Sequence, residues 1–327
     1  MSSDLKARII TQVKPDLEKV EVALAENLSP NLELVREIAS HLLFSGGKRL
    51  RPLLMIHSAR LCGYDAGDEV EFSAIFEYLH AATLLHDDVV DGAELRRGRP
   101  AAHTKWPAPQ VVRTGDFLLA RALNLAARTR NPDLISVIAR ITQEMSQGEI
   151  DQLAWKGRTD LTQEEYLKII ERKTGVLIAG ATRSGAILAG ASPEQEAALN
   201  DFGHHLGLAF QMADDLLDYT ASAEELGKNP GADMREGKLT LPLILSLERA
   251  CPADREWMVS AMGNPEFDAQ AFARLRDKMI ELEGIAHTQD CARDHVREAK
   301  ACLDLFPPSA SRSLLELIAD YSIERKV

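Results

Sequence analysis

The stretch FEYLHAATLLHDDVVD, residues 76–91, decides the fold. Apart from Glu77, His80 and Thr83, its first ten residues are apolar or small, and its end carries three carboxylates, Asp87, Asp88 and Asp91. A second stretch, LGLAFQMADDLLD at 206–218, repeats the design with Asp214, Asp215 and Asp218. Both read as an otherwise apolar helix with its acids at the polar end. On a helix the first and fifth residues of DDxxD are neighbours, about 5–6 Å apart between Cβ atoms. The middle Asp stands about 100° around the axis. Two unit charges 4 Å apart repel by about 4 kcal/mol at an effective dielectric of 20, so such clusters need cations or a protonated member. Hard oxygen donors with room for water suit Mg²⁺, which commonly joins carboxylates to substrate phosphates. A calcium EF-hand loop fails here. It needs oxygen ligands at positions 1, 3 and 5 before Gly, and Val89 and Val90 stand ahead of Gly92.

Working outward, helical periodicity dominates. Leu17, Val20, Val22 and Leu24 belong to one early helix, and Leu32, Leu34, Val35, Ile38, Leu42 and Leu43 to a second. Pro30 suits the first turn of that second helix, and Gly46-Gly47 ends it. Further helices are expected from about Pro52 to Cys62, from about Glu69 to Val90, and over 109–128, 131–154, 163–190 and 193–220, with four shorter ones between 239 and 325. Sustained β-branched alternation and Asn-Gly turns are missing. The segment 221–238 is the most loop-like. With no linker and no internal repeat, one all-α domain over 1–327 is the simplest organisation.

Composition narrows the function. Apolar residues at 45% and charged residues at 27% are ordinary for a globular chain, which excludes collagen-like, disordered and disulfide-scaffold classes. A net charge of −12 makes it a poor non-specific binder of nucleic acid or anionic membrane. Cys62, Cys251, Cys291 and Cys302 form no CxxC pair and read as reduced thiols. No apolar run reaches the roughly 18 residues of a membrane span. Val176–Ala191 comes nearest, but Arg183 interrupts it, and its Gly and Ala content suits a closely packed internal helix. The start, MSSDLKARII, lacks the apolar core of a signal peptide. A cytoplasmic location is expected.

Against that negative background two basic clusters stand out. GGKRLRP at 46–52 supplies Lys48, Arg49 and Arg51, and RRGRP at 96–100 supplies Arg96, Arg97 and Arg99 directly after the first acidic motif. Arg presents a planar fork of donors to phosphate, whereas Lys acts as a point charge. Acid pairs and Gly-flanked basic clusters together point to a metal-bridged anion.

These elements, with LLHDDVVDGAELRRGRP at 84–100, GD at 115–116, KT at 173–174, FQMADDLLDY at 210–219, GKNPGAD at 227–233 and GKLTLP at 237–242, make the chain resemble the trans-isoprenyl diphosphate synthases (polyprenyl synthetases). The elements arrive in the family's order over about residues 40–245. The resemblance implies an antiparallel helix bundle around a deep central cavity, the isoprenoid synthase type, usually a homodimer. It implies an allylic prenyl diphosphate held through about three Mg²⁺ ions, with Asp87, Asp88 and Asp91 as metal ligands on one wall and Asp214 and Asp218 on the other. Asp215 would be a nearby supporting acid. Arg96, Lys173, Lys228 and Lys238 would contact the allylic diphosphate. Isopentenyl diphosphate would bind through Lys48, Arg51, His80 and Arg97, and Thr174 and Gln211 would face the developing cation. His80 lies two helical turns before Asp87 on nearly the same face; His86 is turned away and reads as structural.

In the same family, bulky residues one turn below the first Asp stop the growing tail. Here Ala82 and Thr83 are small, so the tail is expected to pass. That favours a long-chain product of roughly 30–50 carbons, octaprenyl-like, one isoprene unit matching about one 5.4 Å helical turn. Phe76, Tyr78 and Leu79 lie deeper, with Ile141 or Met145 facing them, and Tyr78 or Met145 is expected to form the floor. Residues 103–114 (HTKWPAPQVVRT) depart from the family pattern near its usual dimer interface. The alternatives are a short-chain farnesyl or geranylgeranyl diphosphate synthase, a terpene cyclase, and a non-catalytic partner subunit. A cyclase would mix Asn, Ser and Glu in its second motif, and a partner subunit would lose acidic-motif residues; neither is seen.

Overall fold

The computed structural model describes residues 2–28, 32–221, 230–264 and 267–324. Among them the chain is helical almost throughout. Helices α1 (Ser2–Leu28), α2 (Glu33–Leu43) and α3 (Leu50–Leu61) lead into α4 (Glu69–Val90), the helix of the first acidic motif. A two-residue hairpin, β1 (Leu95–Arg96) with β2 (Arg99–Pro100), precedes the one-turn α5 (Ala102–Lys105). Helices α6 (Ala108–Arg128), α7 (Pro132–Trp155), α8 (Gln163–Ile170), α9 (Val176–Leu188) and α10 (Pro193–Thr220) follow; α10 carries the second motif. The rest comprises α11 (Ala232–Arg235), α12 (Leu241–Arg249), α13 (Pro252–Ala261), α14 (Ala269–Glu281), α15 (Gly284–Cys302) and α16 (Ala310–Glu324).

Local chemistry sets the starts of the site helices. The Asn131 side chain accepts from the Asp133 and Leu134 amides with Pro132 at the first turn of α7, and Thr162–Glu165 and Ser192–Gln195 form capping boxes on α8 and α10. Each cap satisfies amides that a helix start leaves unpaired, worth about 1 kcal/mol. The small-residue helix α9 is internal, as expected: it lies against α3 and α10, and a Cβ at Gly203 of α10 would sit 2.3 Å from Thr182 Oγ1. One apolar core joins α1–α7, α9 and the start of α10; a second gathers α8, the end of α10 and α12–α15. The long α10 belongs to both.

Four expectations change. The helix over 163–190 is broken by a five-residue π-turn, Glu171–Gly175. Among the described residues five α-helices, not four, follow residue 239. The hairpin at 95–100 was not signalled; Arg97 (φ 53°) and Gly98 (φ 72°) make its turn. The second helix begins at Glu33, beyond the first turn expected at Pro30, which lies outside the described residues. The atypical segment 103–114 breaks the helix once: α5 ends at Lys105, Trp106 and Pro107 are non-helical, and α6 runs from Ala108 with Pro109 in its first turn, while the Trp106 ring meets His41 edge-on at 5.2 Å. His86 packs over Gly115 of α6, its Nε2 3.1 Å from Val112 O and 3.4 Å from Asp116 Oδ1.

Candidate active site

A cavity of about 520 Å³ opens between α3, α4, the hairpin, α7, the π-turn and α10. Asp87 and Asp214 both line it, so the two acidic helix ends share one hollow. Lys48, Arg51, His80, Arg96 and Arg97 line it with their cations and imidazole; Lys173, Thr174 and Gln211 line it as well, and Thr83, Leu84, Met145, Leu177 and Phe210 complete its less polar lining. Two smaller hollows adjoin. One, of about 280 Å³, adds Asp91 and Lys238, and the other, of about 150 Å³, adds Tyr166, Asp215 and Asp233.

The sequence explains why the chain comes together here. The Gly46–Lys48 loop turns on Arg49, a left-handed residue (φ 46°) at the start of α3. Its guanidinium donates to Glu21 at 2.6 Å, to Glu77 at 2.8 Å and to Leu43 O. Strained backbone persists where surrounding bonds over-determine it. Arg49 is therefore a clasp between α1, α3 and α4, whereas the sequence grouped it with the phosphate-directed cations. It leaves Lys48 and Arg51 for the cavity. Arg97 donates to Gly46 O, which ties the hairpin cluster to the loop cluster.

The π-turn aims the next pair. One widened turn inside a helix commonly marks a functional site, and here it presents Lys173 and Thr174 to the cavity. Close approach makes this possible: a Cβ at Gly148 of α7 would lie 2.7 Å from Lys173 N, and one at Gly207 of α10 would lie 2.6 Å from Gly175 Cα. Lys173 Nζ donates to Glu149 Oε2 at 2.9 Å and to Gln152 Oε1 at 2.7 Å. Thr174 Oγ1 donates to Gln211 Oε1 at 2.8 Å, and Gln211 Nε2 donates to Asp215 Oδ1 at 2.8 Å. Tyr166 OH closes the relay on Asp215 Oδ2 at 2.7 Å.

Burial shapes the charges. The His80 imidazole is pushed well below its ordinary value by burial and then by the charges of Arg51 and Arg97, so it is neutral. Burial, then the charge of Glu149, pushes the Asp87 carboxyl up to about 7 against the pull of Lys173. Burial, then Asp233, pushes Asp215 up to about 8. For Lys238, burial works downward, but a 2.7 Å contact with Glu236 and the charge of Asp91, 3.4 Å away, outweigh it and raise the ammonium.

Several expected residues lie outside the main cavity. Asp88 is 1% exposed and accepts from Arg96 Nε at 2.8 Å. Asp218 is buried and accepts from the Asp233 amide at 3.1 Å. Ala82 is packed into the core, and Tyr78 is fully buried with its hydroxyl on Leu24 O at 2.6 Å. Lys228 lies outside the described residues. Sequence reasoning missed Glu149, Gln152 and Tyr166. Gly148-Glu149 inside a long helix, two polar turns facing a Lys-Thr pair, was the available signal for the first two; Tyr166 had none. Among the described residues no three acids, histidines or cysteines converge on one point to chelate an ion by themselves. Asp87 and Asp214 each offer a hard carboxylate to the cavity, with Asp91 in the adjoining hollow, a set suited to a divalent ion that completes its shell with phosphate and water. Also among them, no helix is long and apolar enough to cross a membrane.

Comparison with known proteins agrees with this geometry. A family model described as polyprenyl synthetase matches residues 32–279. A short chain isoprenyl diphosphate synthase of Methanothermobacter thermautotrophicus is 37% identical, covering 90% of this chain and 91% of its own. The octaprenyl diphosphate synthase of Escherichia coli is 34% identical over 95% of this chain and 96% of its own. A crystal structure of polyprenyl synthase from Caulobacter crescentus, complexed with calcium and isoprenyl diphosphate, superposes with a TM-score of 0.92 at 41% identity, covering 98% of both chains.

Proposed function

The chain belongs to the polyprenyl synthetase family, and from that premise we propose that the shared cavity is where an allylic prenyl diphosphate meets isopentenyl diphosphate. The protein is a trans-prenyltransferase of the all-α isoprenoid synthase fold, elongating a polyprenyl diphosphate by successive head-to-tail additions. The observation that carries the site assignment is the common hollow of Asp87 and Asp214, with cations around it.

The family is divalent-metal dependent. We read Asp87 and Asp91 on one wall, and Asp214 and Asp218 on the other, as the residues that would hold Mg²⁺, about three ions, with Asp88 fixing Arg96 beside them. Bound there, the ions would stabilise the negative charge of the departing diphosphate. Arg96, Lys173 and Lys238 grip the allylic diphosphate, and Lys228, outside the described residues, joins them by the family resemblance. Their charge matters more as the leaving group gains its own. Lys48, Arg51 and Arg97 hold isopentenyl diphosphate, and neutral His80 donates a hydrogen bond without adding charge. Gln211 and Thr174 set oxygen dipoles toward the allylic cation. The double bond of isopentenyl diphosphate attacks that cation, and a proton leaves C2 for the departed diphosphate. The apolar depth keeps water from the cation.

Thr83 and Met145 at the cavity wall, without a bulky side chain one turn below Asp87, support a long-chain product of about C30–C50, a turn of about 5.4 Å accommodating one unit. Ala82 supports this only by its small size, and the anchored Tyr78 is the weaker floor candidate. A short-chain product is the second reading, favoured by Ile141, which packs against Gly180 one turn below Met145. Because α10 serves both cores, we read residues 1–327 as one domain. Exposed Leu123, Ile135, Ile150 and Leu153 on α6 and α7 support a homodimer, and four unbonded cysteines suit the cytoplasm. Incubation with Mg²⁺, farnesyl diphosphate and labelled isopentenyl diphosphate tests the reading. Elongated diphosphates lost in Asp87→Asn and Asp214→Asn support it; full elongation by both variants refutes the site, and chromatography of the product decides between long and short chains.

A further inference from the structure

Helix α7 ends at Trp155 and the chain continues as Lys156-Gly157-Arg158, while Gly237-Lys238 lies on the loop that enters α12. The two segments meet glycine to glycine. Gly157 (φ 80°) and Gly237 (φ 75°) both take the left-handed backbone, which glycine adopts at no steric cost. Gly157 N donates to Gly237 O at 2.8 Å, and a Cβ on Gly237 would lie 3.3 Å from Gly157 N. This contact sets the flanking residues, Lys156 and Lys238, side by side. Both line the hollow of about 280 Å³ that is also lined by Asp87 and Asp91, and both line the hollow of about 150 Å³ that is also lined by Lys173, Gln211 and Asp215. The Lys156 stem runs along the glycine contact, its Cγ 3.9 Å from that same Cβ position.

The cations of this corner differ in how they are held. Lys173 is bonded to Glu149 and Gln152, and Arg96 to Asp88. Lys238 lies 2.7 Å from Glu236 and 3.4 Å from Asp91. Lys156 is exposed, and among the described residues its ammonium has neither a hydrogen bond nor an ion pair. Of the two cations that the hollows share, one is clamped by acids and the other is left to move. A Lys ammonium is a point charge on a flexible stem and can follow a phosphate, whereas an Arg fork fixes one geometry. We propose that Lys156 is a further diphosphate-binding residue. Its ammonium contacts the allylic diphosphate beside Lys238, and it stays with the inorganic diphosphate that carries away the electron pair of the broken carbon–oxygen bond. No motif marks Lys156 in the sequence; only the tertiary contact with Gly237 places it here.

This inference rests on the diphosphate-site reading of the cavity, and two measurements keep them apart. Binding of inorganic diphosphate with Mg²⁺ to the purified full-length protein is read by calorimetry. Initial rates are read with farnesyl diphosphate and isopentenyl diphosphate varied in turn. Lys156→Met keeps the stem and removes the charge. It should weaken inorganic diphosphate binding about tenfold, the low end for a charge-assisted hydrogen bond, and raise KM for farnesyl diphosphate by a similar factor. KM for isopentenyl diphosphate should not change, because Lys48, Arg51 and Arg97 line neither hollow. Lys156→Arg restores the charge and should return both constants to within about twofold of wild type. A lysine at a helix C-terminus also offsets the helix dipole. If that is its whole role, Lys156→Met loses stability in urea while binding and KM stay at wild type, and the proposal is overturned. Equal losses in Lys156→Met and Lys156→Arg overturn it as well, since the stem and not the charge would then be at work. A wild-type protein that binds inorganic diphosphate without incorporating isopentenyl diphosphate overturns the elongation reading alone and leaves Lys156 to be decided by calorimetry; one that binds no diphosphate overturns both.

Discussion

Replacing Tyr166 by Phe tests whether the relay behind Gln211 works in the reaction or only holds the fold. Tyr166 is buried and gives its only hydroxyl proton to Asp215 Oδ2 at 2.7 Å. Asp215 takes the Gln211 amide on its other oxygen, and that leaves Gln211 Oε1 toward Thr174. The relay therefore fixes which end of the Gln211 amide faces the cavity. With Asp215 pushed up to about 8 and so largely protonated near neutrality, the hydrogen bond contributes about 0.5–1.5 kcal/mol, and Tyr166→Phe should lower folding stability by that amount. If Asp215 then turns, Gln211 loses its registration and the allylic cation loses part of an oriented dipole. A whole preorganised hydrogen-bonding group is worth about 10²–10³ in kcat; partial loss of orientation should give about a tenfold fall. KM for isopentenyl diphosphate should not change, because Lys48, Arg51 and His80 lie outside the relay. Steady-state kinetics with urea denaturation of the same variant separates the effects. An unchanged kcat beside lowered stability refutes the positioning role.

Three further outcomes follow from packing and charge. Gly148→Ala places a methyl 2.7 Å from Lys173 N; overpacking of this kind costs about 1–3 kcal/mol, and it should reduce kcat at least tenfold while circular dichroism stays helical. Ile150→Glu on the exposed face of α7 should shift the native mass from dimer to monomer by light scattering; a wild-type monomer removes the dimer reading. Asp16 binds Arg60 at 2.8 Å in the clasp of α1 on α3. Burial works against ionisation, but the His57 and Arg60 contacts outweigh it and hold the Asp16 carboxyl well below its ordinary 3.8. Its contribution is thus fully present above that value and lost as pH falls through the lower folded value. Asp16→Asn should cost about 3 kcal/mol near neutrality, a deficit that shrinks below pH 4 and is read by denaturant titration at several pH values.

The sequence displayed some of this site openly and hid the rest for identifiable reasons. Helix α4 was legible from end to end because its apolar run and its acids are contiguous. The same holds for α10. The π-turn was not, since one widened turn barely disturbs a 3.6-residue periodicity, and KT alone looks like any helix surface. Arg49 misled because composition cannot tell a cation facing a ligand from one satisfied by Glu21 and Glu77, which lie 28 residues away on either side. Tyr78 carries a tertiary contact that no local pattern signals. A buried Tyr hydroxyl seeks a partner, and Leu24 O, 54 residues away, supplies it, so the ring is anchored. Tyr166 and Asp215 meet across 49 residues, beyond any local pattern.

The acids around the cavity raise a question of sign that Glu149 can answer. A chain of net −12 surrounds the proposed diphosphate site with carboxylates, and simple Coulomb reasoning says that deleting one nearby should improve binding. The geometry argues otherwise. Lys173 is held by Glu149, Arg96 by Asp88 and Lys238 by Glu236, so each cation is tethered in place before it meets phosphate. Ordering a free Lys costs up to about 2 kcal/mol of side-chain entropy, and a tethered one has already lost much of that freedom. Glu149→Ala should therefore raise KM for the allylic diphosphate about fivefold, the equivalent of roughly 1 kcal/mol, rather than lower it. A second variant, Glu149→Gln, keeps an acceptor for Lys173 without the charge and should fall between the two. A lower KM in Glu149→Ala would mean that repulsion outweighs tethering, and that the acids beside Lys173 act on the ligand directly instead of on the cation that grips it.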